Sequence, residues 1–244
     1  MRIQMLGSYL DCLTMDETVS EVKKIIVARK PTQHVVINAG KINLMKKNEA
    51  LRNIVNSCPL INADGSSIVL AGKFLGHPVP ERVTGIDLME RLLKEASEEN
   101  YSLFLLGATE EVVQEVKRII KLRYPAANIV GCQNGYFDRH DSKMIAEEIR
   151  ESQADILFVA FSSPEKEFWI NQYLDIMNVP FVMGVGGSFD VLAGKTTRAP
   201  KLFQKMGCEW LWRFLQEPRR MFKRYFIGNF EFLKHVLKEK GGVR

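Results

Sequence analysis

Short apolar runs recur along most of the chain, and segments with helical spacing lie between them. The runs are predicted to be strands, and they are His34–Asn38, Leu60–Asn62, Leu103–Leu106, Asn128–Val130, Ile156–Ala160 and Phe181–Met183. The segments between them repeat apolar residues at intervals of three and four and are predicted to be helices, among them Asp16–Ala28, Glu110–Arg123, Ser142–Glu151 and Glu165–Met177. Continuous apolar strands that alternate with helices are typical of a parallel sheet with helices on both faces. A capping box of Thr14 and Glu17 is expected to begin the first helix.

The pattern therefore predicts an α/β fold with a Rossmann-like, largely parallel sheet. The composition changes near Lys195–Pro200, and the remaining chain is predicted to be purely helical. We place an α/β domain at residues 1–195 and a helical, basic C-terminal appendage at residues 196–244. No internal repeat and no low-complexity segment interrupts either part.

Charge is distributed unevenly between these two parts. The whole chain has 34 Lys and Arg against 29 Asp and Glu, for a net charge of +5. From Lys195 onward there are 13 basic and 4 acidic residues, together with many Trp, Phe and Tyr residues. A basic, aromatic tail indicates an anionic partner, and lipid head groups, nucleic acid or a phosphorylated small molecule each fit. A tail that merely packs its aromatic stripe on the body is the alternative.

The composition excludes several classes of protein. An apolar fraction of 46% and a charged fraction of 26% are typical of a folded globular chain. The cysteines Cys12, Cys58, Cys132 and Cys208 form no CxxC pair, so we expect free thiols and no zinc ribbon. Neither a secretory signal nor an uncharged run of about 20 residues is present, so a cytoplasmic location is expected.

Polar residues directly after the predicted strands are the first candidates for a site, because ligands bind beyond the carboxyl ends of parallel strands. They are Asn38, Asp64, Gly107, Ser162 with Ser163, and Gly184–Gly187. Asp64 is a carboxylate beside a glycine, although it could simply cap the next helix. The glycines Gly184, Gly186 and Gly187 could bring backbone amides close to a phosphate, or they could form only a tight turn.

Several common motifs fail. The dinucleotide fingerprint requires glycine where Phe189 stands, and Gly194-Lys195-Thr196 lacks the first glycine of a phosphate-binding P-loop. The chain has no DxD pair, and its histidines have no ligand spacing, so neither a metal nor a cofactor is predicted. Arg213, Arg220 and Lys223 are spaced by seven and three residues, so on one helix they would form a cationic stripe suited to a diphosphate. Pro218 lies within that stripe and could bend the helix.

An ordered series of motifs resembles the WecG/TagA/CpsF family of bacterial glycosyltransferases. In order they are NADG (Asn62–Gly65), PERVTGIDLM (Pro80–Met89), LLGA (Leu105–Ala108), NGYF (Asn134–Phe137), GVGGSFD (Gly184–Asp190), RAP (Arg198–Pro200), EWL (Glu209–Leu211), Arg213 and EP (Glu217–Pro218). The resemblance covers nearly the whole chain, from Gly7 to about Arg224.

The resemblance implies transfer of a sugar from a UDP-sugar to a polyprenyl-diphosphate-linked sugar, in teichoic acid, capsule or exopolysaccharide synthesis. It implies inversion at the anomeric carbon without a bound metal, on the inner face of the cell membrane. Asp64 then corresponds to the proposed general base, Asn38 to the family's asparagine after the first long strand, and Arg213, Arg220 and Lys223 to its basic appendage. Self-association is left open, and nucleic acid is not an expected partner.

Two positions depart from the family pattern. Family members often carry Thr where Val36 stands, and many carry Gln in a Pro-x-Gln-Glu motif where Lys166 precedes Glu167. Both positions are expected to touch the donor or acceptor sugar. The positions expected to bind substrate are Gly107, Lys166, Glu167, Gly184, Gly186, Gly187 and Asp190. A Rossmann-type nucleotide-binding protein without transfer activity, and a nucleic-acid binder, are the alternative functions.

Overall fold

Six parallel strands form the central sheet in the computed structural model, which describes residues 1–201, 203, 209–216, 218, 222 and 227–242. The strands run in the order β4-β3-β8-β7-β5-β6, and every neighbouring pair is parallel. Their bounds are β3 Thr32–Ile37, β4 Leu60–Ala63, β5 Ser102–Gly107, β6 Asn128–Gln133, β7 Ile156–Ala160 and β8 Phe181–Gly184. Each predicted apolar run is one of these strands, so the predicted parallel sheet is confirmed.

The strands are apolar throughout because both faces of the sheet are covered. Leu103 and Leu105 of β5 pack into one hydrophobic cluster, whereas Phe104 and Leu106 pack into another on the opposite face. This alternation follows from the two-residue period of a strand. Water is excluded from both sides, so a strand needs apolar residues at every position.

Helices cover the two faces of the sheet. They are α1 Met15–Ala28, α2 Ala39–Lys47, α3 Glu49–Ser57, α4 Ser66–Leu75, α5 Gly85–Glu99, α6 Glu110–Arg123, α7 Ser142–Glu151, α8 Glu165–Met177, α9 Ser188–Leu192 and α10 Glu209–Gln216, with a 3₁₀ turn at Arg139–Asp141 and a C-terminal helix at Gly228–Gly242. The four predicted helices are confirmed, and the capping box of Thr14 and Glu17 begins α1. Helices α1, α5, α6 and α9 pack on one face; α2, α3, α4, α7 and α8 pack on the other.

An antiparallel hairpin, which the sequence pattern did not predict, precedes α1. It consists of β1 Arg2–Met5 and β2 Ser8–Asp11. The Asp11 carboxylate accepts hydrogen bonds from Arg2, at 2.7 Å, and from the backbone N–H of Ile61 in β4, at 2.8 Å. The hairpin is therefore fastened to the edge strand of the main sheet.

The C-terminal helix packs on the body. Phe232 and Val236 are buried in the same cluster as Met5, and the Glu239 carboxylate accepts the backbone N–H of Leu6 at 2.8 and 2.9 Å. In contrast, 61% of Phe230 is exposed, so only part of the predicted aromatic stripe is covered. Among the described helices, none is both long enough and apolar enough to cross a membrane.

The order of the strands reverses its direction within the sheet, between β7 and β5. From β5 the chain continues to β6, and from the neighbouring β7 it continues to β8, which lies in the opposite direction. In open α/β sheets such a point of reversal is where ligands bind. The loops after β4, β3 and β8 lie along the same edge.

Candidate active site

Asp64 and Asn38 meet at the carboxyl ends of β4 and β3. The register of these strands pairs Ile37 with Ala63. The residues that follow them, Asn38 and Asp64, are therefore next to each other. The backbone N–H of Asp64 donates to the carbonyl of Ile37 at 2.7 Å, and Asn38 Nδ2 donates to Asp64 Oδ2 at 3.3 Å. Both side chains are half-buried. The amide thus orients the carboxylate at the edge of the sheet.

Asn38 has a second role as the N-cap of α2. Its Oδ1 accepts the backbone N–H of Lys41 at 3.0 Å, which satisfies one of the free donors of the helix. The two ends of one amide group therefore connect the start of α2 with Asp64. The corresponding N-cap position of α4 is Gly65, one residue after Asp64.

A buried ion pair, Lys41 with Glu167, lies beneath this edge. Lys41 Nζ is 2.5 Å from Glu167 Oε1, and the side chains are only 5% and 1% exposed. Ser163 Oγ also donates to Glu167 Oε2, at 2.8 Å. Burial opposes ionisation of Glu167, but Lys41 and Lys166 outweigh it and hold the pKa of this carboxyl below its usual value. Glu167 therefore faces the protein interior as an ionised acceptor.

Lys166 is the second cation of this cluster. Its Nζ is 3.4 Å from Glu167 Oε1, and its side chain is 13% exposed. Burial, and then repulsion from Lys41, lower the pKa of Lys166 to about 8, although Glu167 and Asp64 act in the opposite direction. Lys166 is thus a desolvated ammonium, and it is close enough to Asp64 for the carboxylate to raise its pKa.

The turn after β8 approaches Lys166 closely. A Cβ on Gly184 would lie 2.7 Å from Lys166 Cδ, and one on Gly186 would lie 3.8 Å from its Nζ. In this turn, the backbone N–H of Val185 donates a hydrogen bond to the carbonyl of Val159. The helix that follows the turn, α9, has only five residues. Asp190 of α9 turns back toward Gly187, where a Cβ would be 3.8 Å from Asp190 Oδ2.

Gly107 lies at the end of β5, on the other side of the point where the strand order reverses. It has a φ of +116°, and a Cβ there would be 2.9 Å from backbone atoms of Ala160 in β7. A Cβ on Gly135 would lie 3.0 Å from Gly107 Cα and 3.0 Å from Phe161 Cε1. The loops after β5, β6 and β7 are therefore closely packed, through backbone at Gly107 and through backbone and the Phe161 ring at Gly135.

The predicted cationic stripe cannot be placed in this site. Arg213 belongs to α10, but its side chain lies outside the described part of the structure, as do Arg220 and Lys223 entirely. α10 itself is connected to the body through Arg82, whose Nη2 is 3.2 Å from Glu209. Val36, the other family departure, lies in β3 near Gly85, where a Cβ would be 4.0 Å from Val36 Cγ2.

The sequence did not indicate the buried ion pair of Lys41, and it did not indicate the partners of Arg198. Lys41 gave no signal, because a lysine three residues after a helix cap is ordinarily exposed. Arg198 pairs with Asp87 and, at 3.4 Å, with Glu90 of α5. Its place in the RAP motif drew attention to it, but not to these partners on a helix more than a hundred residues away.

His34 is a buried structural histidine. His34 is 2% exposed, and its Nε2 is 2.9 Å from Asn62 Oδ1. Cys12, Cys58 and Cys132 are free thiols, and Cys208 lies outside the described residues. Nowhere in the described ranges do three His, Cys, Asp or Glu side chains come together as metal ligands.

Comparison with known proteins decides the family. A family model described as the glycosyl transferase WecG/TagA/CpsF family matches residues 3–244. The chain belongs to this family. It is therefore a glycosyltransferase, as the resemblance implied.

Curated relatives of this WecG/TagA/CpsF chain agree with the assignment. It is 32% identical over 222 residues to an N-acetylglucosaminyldiphosphoundecaprenol N-acetyl-beta-D-mannosaminyltransferase of Staphylococcus aureus (strain MW2), across 90% of this chain and 87% of the relative. The protein of the same name from strain NCTC 8325 / PS 47 is also 32% identical, and that from strain MRSA252 is 31% identical, with the same coverage.

Proposed function

We propose that this chain transfers a sugar from a UDP-sugar to a sugar linked to polyprenyl diphosphate, with inversion and without a bound metal. The family supports glycosyl transfer, and the names of the relatives support an acceptor of the N-acetylglucosaminyl-diphosphoundecaprenol class. The observation that carries the proposal is the Asn38–Asp64 contact, because it presents a carboxylate at the ligand-binding edge of the sheet.

Asp64 is the proposed general base. As the acceptor hydroxyl oxygen attacks the anomeric carbon of the donor, Asp64 takes the hydroxyl proton. The new carbon–oxygen bond forms on the face opposite the departing diphosphate, so the configuration inverts. Asn38 supports this role because its N–H holds Asp64 Oδ2 and leaves the direction of the carboxylate defined.

The leaving UDP carries negative charge that must be stabilised. We assign this task to Arg213, Arg220 and Lys223 of the basic segment, in the manner of other preorganised donors that face developing charge. On the body, we assign the donor site to the following residues: Gly107, Lys166, Gly184, Gly186, Gly187 and Asp190. Glu167 belongs to this site through its contacts with Lys41 and Lys166.

The lipid-linked acceptor accounts for the basic, aromatic C-terminal region. Lys and Arg close to anionic lipids contribute roughly 1 kcal/mol each to membrane attachment. We therefore propose that residues 196–244 bring the enzyme to the inner face of the membrane as a peripheral protein. The pathway would be the assembly of a cell-surface polysaccharide, and nucleic acid would not be a partner.

The test is release of UDP by the purified full chain. A panel of UDP-sugars, including UDP-N-acetylmannosamine, is supplied with N-acetylglucosaminyl-diphosphate lipid in EDTA, and UDP and the lipid product are measured. We expect acceptor-dependent UDP release with at least one donor. Turnover that is present without EDTA and is lost when EDTA is added would refute metal independence. Tight nucleotide binding with no transfer from any donor would instead favour the nucleotide-binding alternative.

A further inference from the structure

The packing around Lys166 holds its side chain in place. Its stem lies across Gly184 at the end of β8, so closely that a Cβ there would be 2.7 Å from its Cδ. Its ammonium lies near Gly186, at the turn that follows the strand. An exposed lysine would extend into water, where its charge is best solvated. This lysine instead places its charge at the carboxyl edge of the sheet.

Within its cluster, Lys166 shares its nearest carboxylate with Lys41, and Asp64 is the other carboxylate that acts on it. Glu167 is already bonded by Lys41 at 2.5 Å and by Ser163 at 2.8 Å, and Lys166 reaches it only at 3.4 Å. A desolvated cation with a shared partner is costly until a further anion neutralises it. The 13% exposure of the side chain leaves it within reach of a ligand.

We propose that the Lys166 ammonium binds an anionic group of the donor substrate beside Asp64. This deepens the proposed function and rests on it. The anion is either the diphosphate of the donor or a carboxylate on its sugar. Glu167 and Lys41 are positioning residues, because Glu167 holds Lys166 and Lys41 holds Glu167.

The burial of Lys166 also predicts how binding of the anion depends on pH. Burial lowers the pKa of Lys166 to about 8, and the charged groups that face it are Lys41, Glu167 and Asp64. A bound anion would favour the ammonium form, so affinity is expected to fall as the pH rises through this value. Between pH 7 and pH 9 the loss would be about tenfold for a ligand that binds the charged form alone.

The experiment measures binding by calorimetry to the full-length wild type and to Lys166→Gln, which has the residue common in the family. The ligands are UDP, a neutral UDP-sugar, a UDP-sugar with a carboxylate at C6, GDP and inorganic pyrophosphate. Lys121→Gln is the matched control, because Lys121 is exposed in the last turn of α6, at the opposite edge of the sheet. Thermal unfolding of all three proteins checks that they are folded.

Each outcome decides a separate point. If the diphosphate is the anion, Lys166→Gln weakens UDP and every UDP-sugar about 10- to 100-fold, as for loss of a charged hydrogen bond. If the sugar carboxylate is the anion, only the acidic UDP-sugar is weakened. Wild-type binding of GDP or pyrophosphate, lost in Lys166→Gln, with no uridine selectivity would overturn the UDP donor but retain the role of Lys166. Affinities within twofold of wild type for every ligand, or no binding by wild type, overturn the proposal.

Two further variants separate charge from structure. Lys166→Arg keeps the positive charge and should retain binding, but without the decline between pH 7 and pH 9. Gly184→Ala should displace the lysine stem, which is flexible and can move at little cost in folding, and should weaken the same ligands as Lys166→Gln. If Gly184→Ala is folded and binds as wild type does, the packing argument fails.

Discussion

The two halves of the carboxyl edge of the sheet differ in character. At the ends of β4, β3 and β8, the neighbouring side chains are charged or strongly polar: Asp64, Asn38, Lys41, Lys166 and Glu167. At the ends of β7, β5 and β6, glycines approach backbone and aromatic rings pack edge to face, with the centroids of Phe161 and Trp169 5.5 Å apart. One half supplies charge, and the other supplies shape.

The difference shows how a single edge can meet two requirements of glycosyl transfer. A base and an anion contact need fixed charges in a partly desolvated setting, where their interactions are strong. We propose that the packed half gives the nucleotide of the donor a rigid wall with few side chains, formed by the closely packed glycines. Variants in the charged half should therefore affect turnover, donor affinity or the stability of the buried ion pair, and variants in the packed half should affect folding.

The largest effect is expected from Asp64→Asn. The amide cannot accept the acceptor's proton, so kcat should fall about 10²- to 10⁴-fold while the midpoint of thermal unfolding stays nearly unchanged. The measurement is acceptor-dependent UDP release. Asp175→Asn, at an exposed position of α8, is the control and should match wild type. Full turnover by Asp64→Asn would remove Asp64 from the role of base.

Glu167→Gln should have the largest effect on stability. It leaves Lys41, which is 5% exposed, as an unpaired buried cation, and the free energy of unfolding should fall by about 3–5 kcal/mol. Urea titration measures the change. Glu115→Gln breaks the exposed pair with Arg118 and is the control; it should change the free energy of unfolding far less, because water already screens that pair.

A double variant extends this test of the ion pair. Lys41→Met combined with Glu167→Gln removes both charges of the pair and should recover much of the lost stability, because the 5%-exposed Lys41 ammonium is gone and Lys166, which loses Glu167, is more exposed and still has Asp64 nearby. A double variant no more stable than Glu167→Gln alone would mean that packing, rather than charge, dominates at this position.

Low pH should reduce the stability of the fold through His34, a buried residue of β3. Burial lowers the pKa of His34 to about 4, against about 6.5 in the unfolded chain, so only the unfolded chain takes up a proton between these values. The contribution to stability is complete above pH 6.5 and is lost as the pH falls toward 4, by roughly 1.4 kcal/mol per pH unit. Urea titrations at pH 7.5, 6.0 and 5.0 measure the slope. His34→Gln should reduce it, and an equal slope in both proteins would contradict the prediction.

The packed half is tested by Gly107→Ala. The residue has a φ of +116°, and the added Cβ would meet the backbone of Ala160 at 2.9 Å, so the free energy of unfolding should fall by about 1–3 kcal/mol. Gly76→Ala is the control, because Gly76 also has a positive φ, +88°, but has no atom within 4 Å of the added Cβ. Equal losses in the two variants would show that backbone strain alone, and not the close approach to β7, makes Gly107 necessary.

Prediction from sequence succeeded where the signal was local or continuous. The strands were recognisable because burial on both faces makes each an unbroken apolar run, and α1 was recognisable from its capping box. The hairpin of β1 and β2 was missed, because strands of four residues that alternate between exposed and buried positions carry a weak pattern. The closeness of Asp64 and Asn38 at the carboxyl edge could be expected from sequence, because each directly follows a predicted strand, whereas their role stays a prediction.

The sequence by itself determined the α/β architecture, its family and the carboxylate that we propose as base, since each depends on neighbouring residues or on ordered motifs. Only the tertiary structure decided that β8 lies between β3 and β7, that Lys41 is buried against Glu167, and that Lys166 lies over Gly184. Lys41 and Glu167 are 126 residues apart, and no local pattern records such a pairing. The physical reason is that a buried charge is tolerated only beside its partner, and the order of the strands determines which partner is near.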